Sequence, residues 1–555
     1  MWKRRKLPAT IIVSAIDQIR IAIQPKRLSS LQHDALAQSF SADKKRHRRY
    51  EIASQQQGAV QAWCVENNIK YSGIPMSVHL LRAGIPPEPW LEDQCGSVWQ
   101  SLYAYQKEGV KHIITHFRGR GLLADDMGLG KTRQGVAFLS YYDNIGIRML
   151  ILCPSYLRFH WAHEIQTHLG IEPAVLRAKK KIHVLGESRV NIVSYDMLAG
   201  INLTPYDVIL ADESHYIKNH KAKRTKAALP LLKRAQRVLL LSGTPALNRP
   251  IELFTQLHAI QSRWFKSYTS FAYRYCNAKY TNFGLDVRGS SCQEELHYIM
   301  REGMMVRRLK EDMLDLPPKT RESWRLELPT VALREIRQGW SEWKRLNEII
   351  HHTGSEETKQ EAYFERKSLL SAMFRHTCAA KKGAVAKFVK DMVERGEKII
   401  FFGYHKDMLN AVDEVLNCGK IRIDGSTPAE RRPDLVRAFQ ENDSIRCAVL
   451  SIGAAGTGLT LTASSTVVFG ELYWVPGALL QAEDRAHRIG QSSTVVIHYL
   501  VAQGTLDDRV YPMLTEKLKA LDTVVDNKND RTLEGQKQHV VYEDLGDALD
   551  ILVPE

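Results

Sequence analysis

The sequence predicts an α/β protein with two parallel-sheet domains in tandem, and three observations support this. Its 555 residues are too many for one hydrophobic core. Two sets of short, nearly continuous apolar runs alternate with helical patterns, one set starting near residue 98 and the other near residue 398. Such runs are typical of buried parallel strands. A composition of 44% hydrophobic and 25% charged residues is that of a folded chain and excludes wholesale disorder.

Each predicted strand is an apolar run of three to five residues. The first domain has runs at 122–124, 149–153, 191–193, 208–211 and 238–241. The second has runs at 399–402, 447–450, 466–469 and 495–497. Charged helical patterns at 330–350 and 356–374 predict helical insertions between the two sheets.

These patterns divide the chain into five parts. They are an unassigned basic N-terminal region (1–97), a first lobe (98–318, with a helical insertion from about 250), a helical insertion or linker (319–380), a second lobe (381–525) and an acidic tail (526–555). Within the first part, alternation at Ile19, Ile21 and Ile23 predicts a strand and residues 55–67 predict a helix. No motif there identifies a fold.

Charge and cysteine usage narrow the class of function. The chain carries 77 Lys and Arg against 62 Asp and Glu, a net charge of +15, which favours a polyanionic partner such as nucleic acid. No apolar stretch reaches the length that spans a bilayer, so we expect a soluble protein that does not act in a membrane. The eight cysteines contain no Cys-x-x-Cys pair, so neither a disulfide framework nor a His/Cys metal cluster is predicted, and a reducing compartment is expected.

A phosphate-binding loop follows the apolar run at Leu122. The segment Asp126-Met127-Gly128-Leu129-Gly130-Lys131-Thr132 leads into a helical pattern. Its glycines let backbone N–H groups turn towards phosphate oxygens, Lys131 neutralises the β- and γ-phosphates, and the Thr132 hydroxyl can ligate Mg²⁺. Asp125 stands where the pattern usually begins with glycine.

Two adjacent acids follow a second buried run. Asp212 and Glu213 come directly after Ala211, at the carboxyl end of a predicted parallel strand, where ligands gather. Asp212 is predicted to hold Mg²⁺, and Glu213 to polarise the water that attacks the γ-phosphate. Together with Lys131 and Thr132, this pair predicts ATP hydrolysis.

The second lobe contains a pair of arginines in the run from Gln481 to Gln491. Arg485 and Arg488 are three residues apart and are predicted to lie on one helical face. Arginines supplied across a cleft stabilise the charge of the phosphoryl-transfer transition state only when the cleft closes. Taken alone, such a pair is more typical of a solvated helix face.

Together these motifs resemble helicase superfamily two, and within it the Swi/Snf-type DNA translocases, from about residue 98 to residue 515. The resemblance rests on Tyr105-Gln106-Lys107, Asp212-Glu213-Ser214-His215, Leu241-Ser242-Gly243-Thr244-Pro245, Arg307-Arg308-Leu309-Lys310, Asp424-Gly425-Ser426-Thr427, 453–459 and 481–491. It implies two RecA-like lobes that use ATP and Mg²⁺ and bind DNA. Ser214 and the segment 469–477 resemble the HARP-type annealing-helicase branch, which remodels forks.

The resemblance also implies roles for further residues. Gln106 would read the adenine, and Gly456 and Gln481 would complete the nucleotide site. Seven residues would contact the nucleic-acid backbone, namely Pro154, Ser155, Thr244, Ser426, Thr427, Thr457 and Gly458.

Three functions remain open from the sequence. The first is a translocase on duplex or branched DNA that reanneals or remodels it. The second is a helicase that separates DNA or RNA strands, and the third is a DNA-bound ATPase that acts as a clamp or recruitment factor. We expect a compact bacterial or phage protein in the cytoplasm, or a nuclear protein if the source is eukaryotic.

Overall fold

The computed structural model describes five short strands before residue 73 and then residues 91–526, apart from 144–146, 202, 204, 282–283, 353–354 and 454–458. The predicted helix at 55–67 and the tail beyond 526 therefore lie outside the described residues. Two compact units divide the chain. The first contains the described residues of 1–125, 130–308 and 520–529, and the second those of 126–129 and 309–519.

The N-terminal region contributes a five-stranded mixed sheet to the first unit. Its strands are β1 (Thr10–Ala15), β2 (Arg20–Lys26), β3 (Asp43–Lys45), β4 (Arg49–Ala53) and β5 (Lys70–Ser72), in the order β3-β4-β2-β1-β5. β1 pairs antiparallel with β2 and parallel with β5. The strand predicted from Ile19, Ile21 and Ile23 corresponds to β2.

A seven-stranded parallel sheet forms the centre of the first unit. Its strands are β6 (Arg120–Leu123), β7 (Met149–Cys153), β8 (Ala174–Val175), β9 (Val190–Ser194), β10 (Val208–Ala211), β11 (Arg237–Leu241) and β14 (Met305–Val306), in the order β14-β6-β11-β10-β7-β9-β8. Every residue of β7, β9 and β10 is buried. The continuous apolar runs of the sequence are explained by this burial on both faces.

Helices accompany this sheet. They are α1 (Leu91–Gln100), α2 (Ala104–Thr115), α3 (Lys131–Asp143), α4 (Arg158–Leu169), α5 (Tyr195–Leu198), α6 (Lys223–Arg234), α7 (Leu253–Ile260), α8 (Tyr268–Tyr275) and α9 (Gln293–Gly303). A separate antiparallel ribbon of β12 (Lys279–Thr281) and β13 (Gly284–Asp286) joins α8 to α9.

The second unit is built on a six-stranded parallel sheet. Its strands are β15 (Lys319–Leu326), β16 (Ile399–Gly403), β17 (Gly419–Ile423), β18 (Ile445–Ser451), β19 (Thr466–Phe469) and β20 (Val495–Ala502), in the order β15-β20-β19-β16-β18-β17. Its helices are α10 (Lys310–Met313), α11 (Arg334–His352), α12 (Glu356–Glu394), α13 (Lys406–Val415), α14 (Arg432–Glu441), α15 (Pro476–Glu483) and α16 (Asp507–Asp526), of which α16 runs on into the first unit. The predicted fold of two parallel-sheet lobes is confirmed.

One prediction for this region is wrong. Residues 319–326 were expected in a helical insertion or linker, but they form β15, which pairs with β20 along its whole length. Because β15 is an edge strand with mostly polar residues of alternating exposure, it lacks the apolar run by which the buried strands were recognised. The predicted helices at 330–350 and 356–374 are present as α11 and α12, although α12 continues to Glu394.

Two further sequence expectations can be compared with the structure. All seven cysteines in the described part of the chain are free thiols. None of the described helices is both long enough and apolar enough to cross a membrane.

Candidate functional site

The predicted phosphate-binding loop lies between the end of β6 and the start of α3. Gly128 has φ of 90° and Gly130 has φ of 73°, in the left-handed region that only glycine adopts at no steric cost. The Lys131 Nζ donates to the Asp125 carbonyl oxygen at 2.7 Å. The loop therefore has the backbone conformation and the cation that a polyphosphate requires.

A buried ion pair explains why Asp125 replaces the usual glycine. Its fully buried carboxylate accepts hydrogen bonds from Arg308 Nε at 3.0 Å and from Gln134 Nε2 at 2.9 Å. Arg308 Nη2 lies 3.0 Å from Asp125 Oδ2, the oxygen that also accepts from Gln134. The same Nη2 donates to Gln134 Oε1 at 3.1 Å. The guanidinium also lies over the Tyr105 ring, 5.3 Å from its centroid. Arg308 thus joins the loop to the Gln106 segment, a contact that the sequence alone did not reveal.

Gln106 lies at the start of α2 and against the phosphate loop. Its Oε1 accepts the backbone N–H of Tyr103 at 3.0 Å. A Cβ built on Gly130 would come within 2.4 Å of Gln106 Nε2, so only glycine fits at this position without a shift. The side chain predicted to read adenine is therefore adjacent to the loop predicted to hold the phosphates.

Replacing Arg308 by Gln should show whether this ion pair holds the nucleotide loop. Removing one partner of a buried pair typically costs about 3–5 kcal/mol, because the other charge stays buried. We expect a lower urea midpoint and at least a tenfold loss of ATPase kcat/KM. The double variant Asp125→Asn, Arg308→Gln should recover stability, and the exposed Arg234→Gln serves as control. An unchanged midpoint for Arg308→Gln would contradict this role.

The two predicted acids lie at the end of β10. Asp212 accepts hydrogen bonds from Trp161 Nε1 at 2.8 Å and from the Glu213 N–H at 2.8 Å. Burial and the neighbouring Glu213 charge raise the pKa of Asp212 to about 7, against the opposing effects of the Trp161 hydrogen bond and Lys131. A carboxylate that is costly to ionise in this position gains most from a bound cation.

Glu213 adopts a backbone conformation that side chains rarely occupy. Its φ of 48° and ψ of 53° are left-handed, and such strain is concentrated at functional sites. His215 Nδ1 lies 3.3 Å from Glu213 Oε2 and 3.5 Å from the Ser242 hydroxyl. The Ser242 hydroxyl in turn accepts the N–H of Thr244 at 3.3 Å. A continuous chain of contacts therefore leads from the acidic pair to a predicted nucleic-acid residue.

Two other connections reach the segment 241–245. The Ser214 hydroxyl donates to Gln256 Oε1 at 2.7 Å, and Gln256 Nε2 donates to the Pro245 carbonyl at 2.7 Å. Arg307 Nη1 donates to the carbonyl oxygens of Ala124 at 2.6 Å and Gly243 at 3.1 Å. Neither Gln256 nor Arg307 was predicted as a site residue, because neither contact can be read from sequence spacing.

The residues predicted to contact nucleic acid differ in how exposed they are. Pro154 is buried, whereas Ser155 and Ser426 are exposed. Asp424 Oδ1 accepts the Ser426 N–H at 2.9 Å, and Thr427 Oγ1 accepts the Asp424 N–H at 3.1 Å, which fixes this turn. Gly456, Thr457 and Gly458 lie outside the described residues.

The arginine pair of the second unit does not lie on a helical face as predicted. Helix α15 ends at Glu483, so Arg485 and Arg488 occupy the following turns. Arg485 is buried, while Arg488 is partly exposed and its Nε donates to the Asp484 carbonyl at 3.0 Å. Gln481 is buried within α15. The two guanidinium groups therefore differ in burial and setting.

A buried charge cluster fixes the end of α15. Glu483 is bonded by Arg321 at 2.6 Å and Lys319 at 3.0 Å, and Asp484 by Lys310 at 2.9 Å. Burial alone would raise the pKa of Glu483, but the Arg321 and Lys319 charges hold it at about 2. Both carboxylates are thus held as anions just before the arginine pair.

Three potential metal ligands that the sequence did not single out lie close together in the second unit. One potential ligand atom each from Cys378, His405 and Glu471 lies within 4.8 Å of the others. The Glu471 carboxylate already accepts the backbone N–H groups of Tyr404 at 2.7 Å and His405 at 2.9 Å, and its other oxygen lies 2.6 Å from His405 Nδ1. Since these bonds satisfy the carboxylate and fix the turn after β16, the cluster is explained without a metal.

The phosphate loop, the acidic pair and the two parallel-sheet units define a helicase-like ATPase, and comparison with known families agrees with this class. The SNF2-related domain model matches residues 105–379, and the helicase conserved C-terminal domain model matches residues 380–490. The chain belongs to the SNF2-related family of helicase-like proteins. The family resemblance stated from the sequence motifs is confirmed.

Among its relatives are annealing helicases. The chain is 40% identical to the DNA annealing helicase and endonuclease ZRANB3 of Mus musculus, over 78% of this chain and 41% of that protein. It is also 41% identical to the SWI/SNF-related matrix-associated actin-dependent regulator of chromatin subfamily A-like protein 1 of Xenopus tropicalis. That match covers 78% of this chain and 46% of the relative. The chain therefore spans less than half the length of these two relatives. Both are eukaryotic proteins, so the expected bacterial or phage origin gains no support.

A solved structure is also similar. The Sulfolobus solfataricus SWI2/SNF2 ATPase core in complex with dsDNA is 25% identical, covers 77% of this chain and 94% of that chain, and has a TM-score of 0.37.

Proposed function

We propose that this chain is an ATP-dependent translocase on duplex or branched DNA, which it remodels or reanneals. The observation that carries the proposal is the chain of contacts from Asp212 and Glu213 through His215 and Ser242 to Thr244. It links residues suited to ATP hydrolysis with a residue predicted to hold the DNA backbone. The names of the annealing-helicase relatives support the same activity.

The predicted site residues of the first unit that surround the phosphates each have a role in the proposed reaction. Lys131 binds the β- and γ-phosphates, and Glu213 orients and polarises the attacking water. Thr132 and Asp212 would hold Mg²⁺, because hydroxyl and carboxylate oxygens are the hard donors that this ion prefers and the raised pKa of Asp212 favours a cation beside it. When bound, Mg²⁺ neutralises charge on the phosphate oxygens.

Arg485 and Arg488 are proposed to stabilise the transition-state charge of the γ-phosphoryl group. Hydrolysis would then be coupled to movement through contacts with the DNA backbone, which carry no sequence information. The basic net charge of the chain supports binding that is independent of sequence. Because the relatives ZRANB3 and the A-like protein 1 are eukaryotic proteins, we propose that this chain acts in the nucleus.

ATP hydrolysis measured with different nucleic acids tests this proposal. We expect duplex and forked DNA to stimulate hydrolysis strongly, and single strands and RNA to stimulate it weakly. Stimulation by RNA or single-stranded DNA alone would favour a strand-separating helicase. Stimulation by duplex DNA without any movement along it would favour a DNA-bound clamp or recruitment factor.

A further inference from the structure

The ribbon of β12 and β13 and the adjoining helix α8 each expose an aromatic side chain that the proposed motor does not use. Tyr280 on β12 is 73% exposed, more than any other aromatic side chain among the described residues. Tyr273 on α8 is 48% exposed, and its ring centroid lies 6.4 Å from that of Tyr280. All three residues of β12 are exposed. Tyrosine side chains, which combine a large apolar ring with a polar hydroxyl, are enriched at interfaces.

The base of the ribbon is held rigidly. Arg274 forms two hydrogen bonds with the buried Glu295, at 2.7 and 2.5 Å, and the Tyr275 hydroxyl donates to the same carboxylate at 2.8 Å. The Ser291 hydroxyl accepts the N–H of Asn277 at 3.0 Å and donates to the Arg274 carbonyl at 2.7 Å. These bonds tie the two ends of the ribbon together, so little ordering entropy remains to be lost on binding.

Both ends of the ribbon also contain strained residues. Asn277 has φ of 46°, a left-handed value that asparagine tolerates better than most residues, and Cys292 has φ of 48°, which is uncommon for its residue type. Such conformations persist only where the surrounding structure enforces them, and they are most frequent at functional sites. The chain therefore maintains the direction of the ribbon at a cost in stability.

The charge of this region selects the chemistry of the partner. Residues 261–292 contain five Lys or Arg and a single acid, Asp286, and one of the five, Arg274, is paired with Glu295 just beyond this range. Arg288 donates to both oxygens of Asp286, and the pKa of this carboxyl is lowered to about 2, chiefly by these bonds. Lys279, Arg263 and Lys266 are exposed. Lys279 directly precedes Tyr280 on β12, so the ribbon carries an exposed cation next to an exposed aromatic. These are the two groups that bind unpaired nucleotides, with a base on the ring and a phosphate on the cation.

We propose that this ribbon contacts unpaired bases at the branch point of DNA, with Tyr280 stacking on a base and Lys279 binding the adjacent phosphate. Base faces are covered inside a duplex and become available only where pairing ends. The ribbon thereby gives a motor that reads only the DNA backbone a means to recognise a fork. This inference rests on the proposed function, because it assumes that branched DNA is the substrate.

The Tyr280→Ala variant tests the proposal by comparing binding to two DNAs of equal length, a blunt duplex and a fork with a single-stranded gap at the branch. Loss of one stacked base weakens binding by about 5- to 150-fold. We expect a loss of about tenfold for the fork and less than twofold for the duplex, with Tyr280→Trp restoring fork binding. Phe364→Ala, which removes another exposed aromatic, should change neither affinity.

Lys279→Gln provides a second measurement. It removes one phosphate contact and should lower the salt dependence of fork binding by about one unit of slope. Equal weakening of both DNAs by Tyr280→Ala would overturn the proposal, since the ribbon would then not distinguish a branch. No effect on either DNA would also overturn it and would indicate a protein partner for this surface.

The outcomes separate the two proposals. If the wild-type protein shows no ATPase stimulation by any DNA, the proposed function fails. If wild-type stimulation is normal and Tyr280→Ala retains its preference for the fork, only the ribbon inference fails.

Discussion

Replacing Glu213 by Gln is expected to lower DNA-stimulated ATP hydrolysis at least 100-fold while leaving ATP binding within about threefold of wild type. A positioned general base contributes about 10²–10⁴-fold to such reactions. Glutamine keeps the size of the side chain and one oxygen, but it cannot accept a proton from water. Because the left-handed backbone at this position is set by its surroundings, the substitution should not unfold the loop.

Two measurements are needed. One is the steady-state rate of ATP hydrolysis with saturating duplex DNA, and the other is the affinity for nucleotide, measured by fluorescence. Glu172→Gln removes an exposed carboxylate outside the proposed site and serves as the matched control. Hydrolysis by Glu213→Gln within threefold of the control would remove Glu213 from the reaction. The water would then have to be polarised by another group.

Replacing Lys381 by Met is expected to destabilise the second unit by about 3–5 kcal/mol. Lys381 and Asp507 form an ion pair at 2.6 Å, and their side chains are 1% and 2% exposed. Lys381 Nζ also donates to the Leu500 carbonyl at 3.1 Å, so that α12, β20 and α16 meet at this ammonium group. Its removal leaves a carboxylate buried without its cation.

Urea denaturation measures this effect, with Lys382→Met as the control, because Lys382 is the exposed neighbour on the same helix. The double variant Lys381→Met, Asp507→Asn should recover part of the loss, since it removes the unpaired charge. Identical unfolding midpoints for Lys381→Met and Lys382→Met would show that the pair contributes nothing to stability.

The sequence predicted those parts of the fold that leave a local pattern. Buried parallel strands such as β7 and β10 are continuous apolar runs, and the phosphate loop carries its glycines, Lys131 and Thr132 in fixed order. Edge strand β15 was missed because only one of its sides pairs with another strand and its residues are mostly polar. The arginine pair was placed on a helix because its spacing suits one, but that helix ends at Glu483, before either arginine.

Site residues were predictable when their neighbours in sequence define the chemistry. Asp212 and Glu213 follow a buried strand and could be assigned in this way. Arg308 could not, because its partner Asp125 lies 183 residues away in sequence. The one local signal was Asp125 itself, an acid in a position where the loop pattern has glycine. A charged residue in such a place indicates a buried partner, but only the tertiary structure identifies it.

Triplex displacement tests the central claim most directly, namely that ATP hydrolysis drives this protein along duplex DNA. A third strand bound to a duplex is removed by a protein that moves along the duplex, even if it never separates the two paired strands. We predict ATP-dependent displacement of the third strand by the wild-type protein, none by Glu213→Gln, and no unwinding of a plain duplex. Duplex unwinding without triplex displacement, or DNA-stimulated hydrolysis with displacement of neither, would contradict the account.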